Sequence, residues 1–146
     1  MAGYTTNLLT GLAQHLAAAG VGVWNPAGVY TAGQAGIVLG AVPPAPDRII
    51  TLTGYGVTDD PTLADTVTGV QVRCRWAGAD PRLVDDLADQ VFDLWQGSGP
   101  LTLSTGVRVL LLQRRSSTSL GTDGNGRWSR ADNFYVTTHR PSTHRL

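Results

Sequence analysis

The chain of 146 residues contains neither lysine nor glutamate, so all eleven basic residues are arginine and all eleven acidic residues are aspartate. Without lysine there can be no Walker-type phosphate-binding loop, no Schiff-base lysine and no lysine general base. These absences exclude several classes of enzyme. The composition therefore favours a protein that works through its surfaces and not through catalysis.

Cysteine and long apolar runs are also scarce. Cys74 is the only cysteine, so no internal disulfide can form and packing alone must stabilise the fold. No segment approaches the roughly 20 apolar residues that span a bilayer. The N-terminus lacks the basic region of a signal peptide, and Gln14 and His15 interrupt its apolar stretch. We expect one domain over residues 1–146, soluble and made in the cytoplasm.

Charge is distributed unevenly although the net charge is zero. Residues 47–93 hold four arginines and nine aspartates, a net charge of −5, whereas residues 108–146 hold seven arginines and two aspartates, a net charge of +5. Such a division can mark a nucleic-acid partner. It also suits neighbouring copies of one protein that pair an acidic surface with a basic one.

Periodicity predicts the elements of the first half of the chain. Leucines four residues apart predict a helix over residues 6–19, and short apolar runs at 21–24, 37–42 and 48–55 predict strands. Residues 56–61 have the composition of a turn. Residues 69–76 alternate between apolar and polar side chains, so this strand should bury one face, with Cys74 as an inert core thiol. Its other face, with Arg73 and Arg75, should be exposed to solvent and positively charged.

A second helix is predicted over residues 81–96. Asp80 can cap its start, Pro81 suits the first helical position, and Gly97 can end it. The predicted apolar stripe consists of Leu83, Leu87, Val91 and Leu94, with Val84 and Trp95 beside it. The opposite face carries aspartates at Asp85, Asp86, Asp89 and Asp93.

The C-terminal part predicts more β-structure. Residues 101–115 form one strand or a strand pair broken near Gly106, residues 116–126 form a polar connection, and residues 128–139 form a final strand. Residues 140–146 suit an extended tail. The order of elements predicts an α+β domain whose largely antiparallel sheet is covered on one face by both helices.

Possible reactive sites have simpler structural interpretations. Residues 123–126 resemble a calcium loop, but Phe134 occupies the twelfth position, where a bidentate glutamate is required, so a tight hairpin turn is favoured. Asp59, Asp60 and Asp65 fit turn and capping roles better than acid and base roles. The sequence therefore predicts no catalytic residue, no cofactor and no metal.

The arginines of the second half are the best argument for nucleic-acid binding. They lie near aromatic side chains that could stack on bases, and they are Arg114, Arg115, Arg127, Arg130, Arg140 and Arg145. No helix-turn-helix, zinc or RNA-recognition signature accompanies them. Basic residues serve protein interfaces equally well, so the sequence favours protein contacts over direct DNA binding.

Three segments together resemble the minor capsid or tail terminator family of long-tailed phages, particularly phages of actinobacteria. The first is YGVTDDPTLAD at residues 55–65, which runs into GVQVR at 69–73. The second begins with Asp80, Pro81 and Arg82 and continues to FDL at 92–94. The third is LGTDGNGRW at residues 120–128, continuing to Asp132, Asn133 and HRP at 139–141. Their order and spacing carry the resemblance, because each segment alone is common turn chemistry.

The resemblance implies a structural protein of the virion, located in its tail or neck and made in the host cytoplasm. Such a protein assembles as a ring, usually a hexamer, on the finished end of the tail tube, and joins the tube to the head connector. A head completion or stopper protein of the neck is the structural alternative, and a DNA-binding accessory protein is the other. The family has no catalytic residues to transfer.

The charge blocks add a hypothesis about the contacts of such a ring. The acidic helix face of one copy would meet basic residues of the next, while residues 56–65 and 116–126 would reach neighbours above or below. The candidate interface residues are Asp59, Asp60, Asp65, Asp85, Asp86, Asp89, Asp93, Arg114, Arg115, Arg127 and Arg130.

Overall fold

A computed structural model describes residues 2–146 as two helices and seven strands. In chain order the elements are α1 (Tyr4–Ala18), β1 (Val23–Trp24), β2 (Gly36–Leu39), β3 (Ile49–Asp59), β4 (Asp65–Ala77), α2 (Arg82–Trp95), β5 (Leu101–Thr102), β6 (Arg108–Thr122) and β7 (Arg127–His139). No helix in this part of the chain is both long enough and apolar enough to span a membrane.

The seven strands form one sheet in the order β1-β2-β3-β4-β7-β6-β5. The pairings β1–β2 and β2–β3 are parallel, and all the others are antiparallel. Both helices share one hydrophobic core with the sheet. The predicted α+β domain, with a largely antiparallel sheet covered on one face by two helices, is confirmed.

The core face of α2 is rotated from the predicted stripe. Val84, Leu87, Val91 and Trp95 are buried, whereas Leu83 is 38% exposed. Trp95 explains the rotation, because its ring is fully buried and meets Phe134 of β7 edge-on, with 5.3 Å between ring centroids. The largest aromatic side chain of the helix therefore determines which face turns inward.

The start of α2 follows the predicted capping pattern. Pro81 already has helical backbone angles, and the Asp80 carboxylate accepts a hydrogen bond of 3.0 Å from the backbone N–H of Arg82. This bond satisfies one of the donors that a helix start leaves free.

Strands β3, β4 and β6 extend several residues beyond their predicted bounds. Strand β3 continues to Asp59 and β6 continues to Thr122, so most of residues 56–61 and 116–126 is strand and not loop. Strand β6 keeps its pairing with β7 through three irregularities of register, each of which inserts an extra residue. Residues 116–122 therefore belong to an irregular strand and not to a loop. The turn predicted at residues 123–126 is confirmed as the link between β6 and β7.

The prediction that the second face of β4 is exposed to solvent is wrong at Arg75. This side chain is only 4% exposed and donates from Nε to the Asp47 carbonyl at 3.0 Å and from Nη2 to the Pro46 carbonyl at 2.6 Å. Burial, and then the nearby charge of Arg127, lowers the pKa of Arg75. Arg75 stabilises the proline-rich segment at residues 43–46, which precedes β3 and is not part of any strand. Cys74 is fully buried as predicted, and burial raises the pKa of its thiol to about 12.

Residues 140–146, for which the sequence favours an extended tail, turn back on themselves. Ser142 and Arg145 pair through their backbones, and Arg145 Nε donates to the Leu63 carbonyl at 2.6 Å. The C-terminal residues therefore contact and stabilise the turn between β3 and β4.

His15 links the two helices, and its partly buried position predicts that the stability of the fold depends on pH. The Trp95 indole N–H donates to His15 Nδ1 at 3.2 Å, which requires a neutral imidazole, and burial lowers the pKa of His15 below 6.5. The unfolded chain therefore binds this proton more readily, so the free energy of unfolding should fall as the pH falls from 7 towards 5. Chemical denaturation across this range should show a smaller fall in His15→Gln.

The matched control is His144→Gln, because His144 is exposed near the C-terminus. It should keep the pH dependence of the unaltered chain. An equal pH dependence in His15→Gln and the unaltered chain would contradict the role given to His15.

Candidate subunit interface

Arg130 and Asp132 form a buried ion pair between α2 and the β6–β7 pair. Arg130 Nε and Nη2 donate to the two carboxylate oxygens of Asp132 at 2.9 and 3.0 Å, and Asp132 is 1% exposed. The Ser117 hydroxyl donates to Asp132 Oδ1 at 2.6 Å, and Arg114 Nη1 lies 3.4 Å from Oδ2. This two-pronged geometry is the strongest form of arginine–carboxylate contact.

The same arginine reaches the acidic helix. Arg130 Nη1 lies 3.3 Å from Asp85 Oδ1 and 3.0 Å from Asp89 Oδ1. Burial opposes the charge of Arg130, but its hydrogen bonds to Asp132, the charge of Asp132 and the contact with Asp89 outweigh this effect and raise its pKa. Part of the acidic helix face is therefore neutralised by the chain's own arginine.

Arg127 and Arg114 are also occupied within the chain. Arg127 Nε lies 2.8 Å from Asp123 Oδ2, and Nη1 donates to the Pro44 carbonyl at 2.6 Å. The Arg114 guanidinium stacks on the Phe92 ring, 4.2 Å from its centroid. Arg127 therefore connects the β6–β7 turn to the proline-rich segment, and Arg114 connects β6 to α2. Arg114 and Arg127 therefore have partners within the chain, whereas the charge pattern of the sequence predicts partners in a neighbouring copy.

Arg115, Asp86 and Asp93 differ from these residues. All three are exposed, and none forms an ion pair with another residue in the range 2–146. The Arg115 guanidinium lies 5.3 Å from the Tyr135 ring centroid. Among the predicted interface residues of α2, β6 and β7, these three have charges that no ion pair within the chain neutralises.

The three aspartates near the β3–β4 turn have local partners. Asp59 contacts the Thr66 hydroxyl, Asp60 accepts a bond of 2.7 Å from the Thr62 backbone N–H, and Asp65 Oδ1 lies 2.9 Å from His139 Nδ1. Hydrogen bonds from Thr62 lower the pKa of Asp60. Asp65 and His139 are exposed cross-strand neighbours, and the surface depression beside His139 does not include Asp65. In the described residues no group of three or more metal-ligating side chains is placed to hold an ion.

The turns after β3 and after β6 lie at opposite ends of the sheet. Asp65, at the β3–β4 turn, pairs with His139 at the end of β7, whereas the β6–β7 turn joins the start of β7 at Arg127. Exposed leucines lie at both ends: Leu63 is 58% exposed in the β3–β4 turn, and Leu120 is 46% exposed in β6 just before the β6–β7 turn. The sheet therefore offers two separate apolar contact points along its strand direction.

The sheet face opposite the helices contains a feature that the sequence did not predict. Tyr55, Gly69 and Tyr135 lie side by side on β3, β4 and β7. The Tyr55 hydroxyl donates to Asn133 Oδ1 at 3.2 Å, and burial, with a further contribution from Tyr135, raises the pKa of Tyr55. Only the strand register brings these residues together, so their spacing in the sequence gives no signal.

Comparison with known proteins agrees with this architecture. A family model described as bacteriophage tail terminator protein matches residues 15–140. A chain in a solved virion of a native gene transfer agent particle has 23% sequence identity and a TM-score of 0.61; the match covers 90% of this chain and 93% of that chain. At this identity the likeness shows the fold alone. None of the curated proteins matches the chain.

Proposed function

This chain belongs to the bacteriophage tail terminator family, and from that membership we propose that it forms a ring on the finished end of a tail tube. It is a structural protein of a phage-type virion. In the proposed role the ring stops the tube from growing and joins it to the head connector. Family membership, over residues 15–140, is the observation that carries the proposal.

The placement of the two hairpin turns supports a role between two different partners. A ring at a tube end must contact the last tube subunits on one side and the connector on the other. The β3–β4 turn with Leu63 and the β6–β7 turn, preceded by Leu120, lie at opposite ends of the sheet. We assign one turn to each partner, because the two turns face away from each other along the strand direction.

A direct role in DNA binding has less support. Arg114, Arg127 and Arg130, which the sequence offered for that purpose, are paired with aspartates of the same chain. Phosphate contacts by these arginines would have to replace existing ion pairs. The charges on Arg115, Asp86 and Asp93 can instead form contacts between identical subunits of a ring. We expect six copies in that ring.

A reconstruction of the head–tail junction by electron cryomicroscopy tests the location and the copy number together. We expect six copies of the chain in one ring against the last tube subunits, and a native mass of the purified ring equal to six chains. A ring found only between connector and head, with no contact to the tube, would contradict the proposal and favour a neck protein.

A further inference from the structure

The helix-free face of the sheet has the chemistry of a protein interface. Strand β3 shows which residues lie on this face. Gly54 faces α1, since a Cβ there would lie 3.4 Å from Thr5 Cγ2. Successive residues of a strand face opposite sides, so Tyr55 lies on the helix-free face. Tyr55 is 40% exposed and Leu111, farther along the same face, is 41% exposed. Tyrosine and arginine are enriched in interface cores.

The aromatic part of this face is ordered before any partner binds. The Tyr55 ring lies directly over Gly69, where a Cβ atom would come within 2.1 Å of it. Its hydroxyl is fixed by Asn133, and the Tyr135 ring is flanked by the Arg115 guanidinium. Side chains that are already held in place lose less entropy on binding.

This face carries positive charge that the chain itself does not neutralise. Arg73 and Arg115 have no carboxylate partner within the described part of the chain. Asp132 is the aspartate closest to Arg73 in the strand pairing, but its side chain points towards the helices and binds Arg130. A partner for this face should therefore supply carboxylates.

The outer side of α2 provides the matching chemistry. Asp86 and Asp93 lie seven residues apart, two helical turns, with exposed Gln90 between them on the same side. Neither aspartate has an ion-pair partner in the part of the chain that the structure describes. Leu83, 38% exposed, adds an apolar contact at the start of the helix.

We infer that the acidic outer side of α2 in one copy docks on the helix-free sheet face of the next copy. The two surfaces lie on opposite sides of the domain, because the helices cover only one face of the sheet. Repeating such a head-to-tail contact generates a closed ring or an open helix, whereas a contact between like surfaces would stop at a dimer. The inference rests on the proposed ring and assigns its subunit contact.

Cross-linking between introduced cysteines tests this contact with the native charges kept. The variant Gln90→Cys, Gln113→Cys places one thiol on each surface, since Gln113 is exposed and pairs with Tyr135. Cys74 needs no replacement because it is fully buried and its thiol pKa is about 12. A short bis-maleimide reagent should give a ladder of covalent oligomers from the double variant, both as purified chain and in particles.

The two single variants are the matched controls, and each should remain uncrosslinked alone but give dimers when mixed with the other. Dimers from Gln113→Cys alone would show that like faces meet and would overturn the inference. Absence of a ladder from particles whose ring sits at the tube end would overturn the inference and leave the proposed function standing. A ladder from a ring found elsewhere would overturn the proposed location alone.

Charge reversal gives an independent measurement of the same contact. Arg115→Asp, or Asp86→Arg with Asp93→Arg, should weaken self-association about tenfold or more and make it less sensitive to salt, because like charges then face each other. Mixing the two reversed chains should restore association. Asn125→Asp, a charge change in the exposed β6–β7 turn, is the control and should have no effect. Unchanged association after both reversals would overturn the contact.

Discussion

Replacing Asp132 with asparagine should lower the free energy of unfolding by about 3–5 kcal/mol. The change removes one charge from a buried pair and leaves the Arg130 guanidinium, whose side chain is 11% exposed, without its closest carboxylate. Asp85 and Asp89 offset the loss only in part, because their side chains are 55% and 59% exposed and their charges are screened by solvent. Urea denaturation at neutral pH measures the effect.

Asn125→Asp is the matched control for this measurement, since it also exchanges an amide and a carboxylate but lies at an exposed position of the β6–β7 turn, outside the inferred contact. Its free energy of unfolding should stay within about 0.5 kcal/mol of the unaltered chain. A loss below about 1 kcal/mol in Asp132→Asn would contradict the role of the buried pair.

The buried pair also matters for the proposed ring. Asp132 and Arg130 lie on β7, and through Asp85 and Asp89 they connect the sheet to α2. The outer side of α2 and the helix-free sheet face are therefore held at fixed positions on opposite sides of one domain. A loosened pair should disturb assembly even though none of its members lies in the inferred contact.

The sequence predicted the elements whose side chains follow a clear period. Leu8, Leu12 and Leu16 repeat at four residues and are all fully buried in α1. Val70, Val72 and Cys74 alternate along β4 and are buried as predicted. In both cases one buried face determines the pattern, so local spacing carries the structural information.

Contacts between residues far apart in the chain could not be predicted in this way. Arg130 and Asp85 are 45 residues apart, and their contact depends on how α2 lies across β7. The grouping of Tyr55, Gly69 and Tyr135 depends on strand register in the same way. Charge blocks in the sequence showed that opposite charges exist, but only the fold distinguishes arginines used within the chain from those available to a neighbour.

The burial of Arg75 illustrates the same limit. Strand alternation predicts only which side of the sheet a residue faces, and not whether another segment covers that side. The proline-rich residues before β3 cross this position, and their carbonyls accept the hydrogen bonds of Arg75. A polar residue in an alternating strand can therefore be buried when a loop supplies its partners.

Assembly without this chain should yield separate tail tubes that are far longer and more variable in length than normal, beside heads that lack tails. The physical reason is that every tube end exposes interfaces that bind another tube subunit. Growth therefore continues until a protein whose outer surface does not bind tube subunits covers that end. Supplying the unaltered chain should restore normal length and joining. Supplying Asp132→Asn should restore them less well, in proportion to its loss of folded protein.

The length distribution of these tubes, measured by electron microscopy of particles lacking the chain, is the most direct test of the proposed termination. The account predicts overlong tubes beside tailless heads. Tubes of normal length beside unjoined heads would contradict termination and place the chain in the neck, and intact infectious particles would contradict both roles.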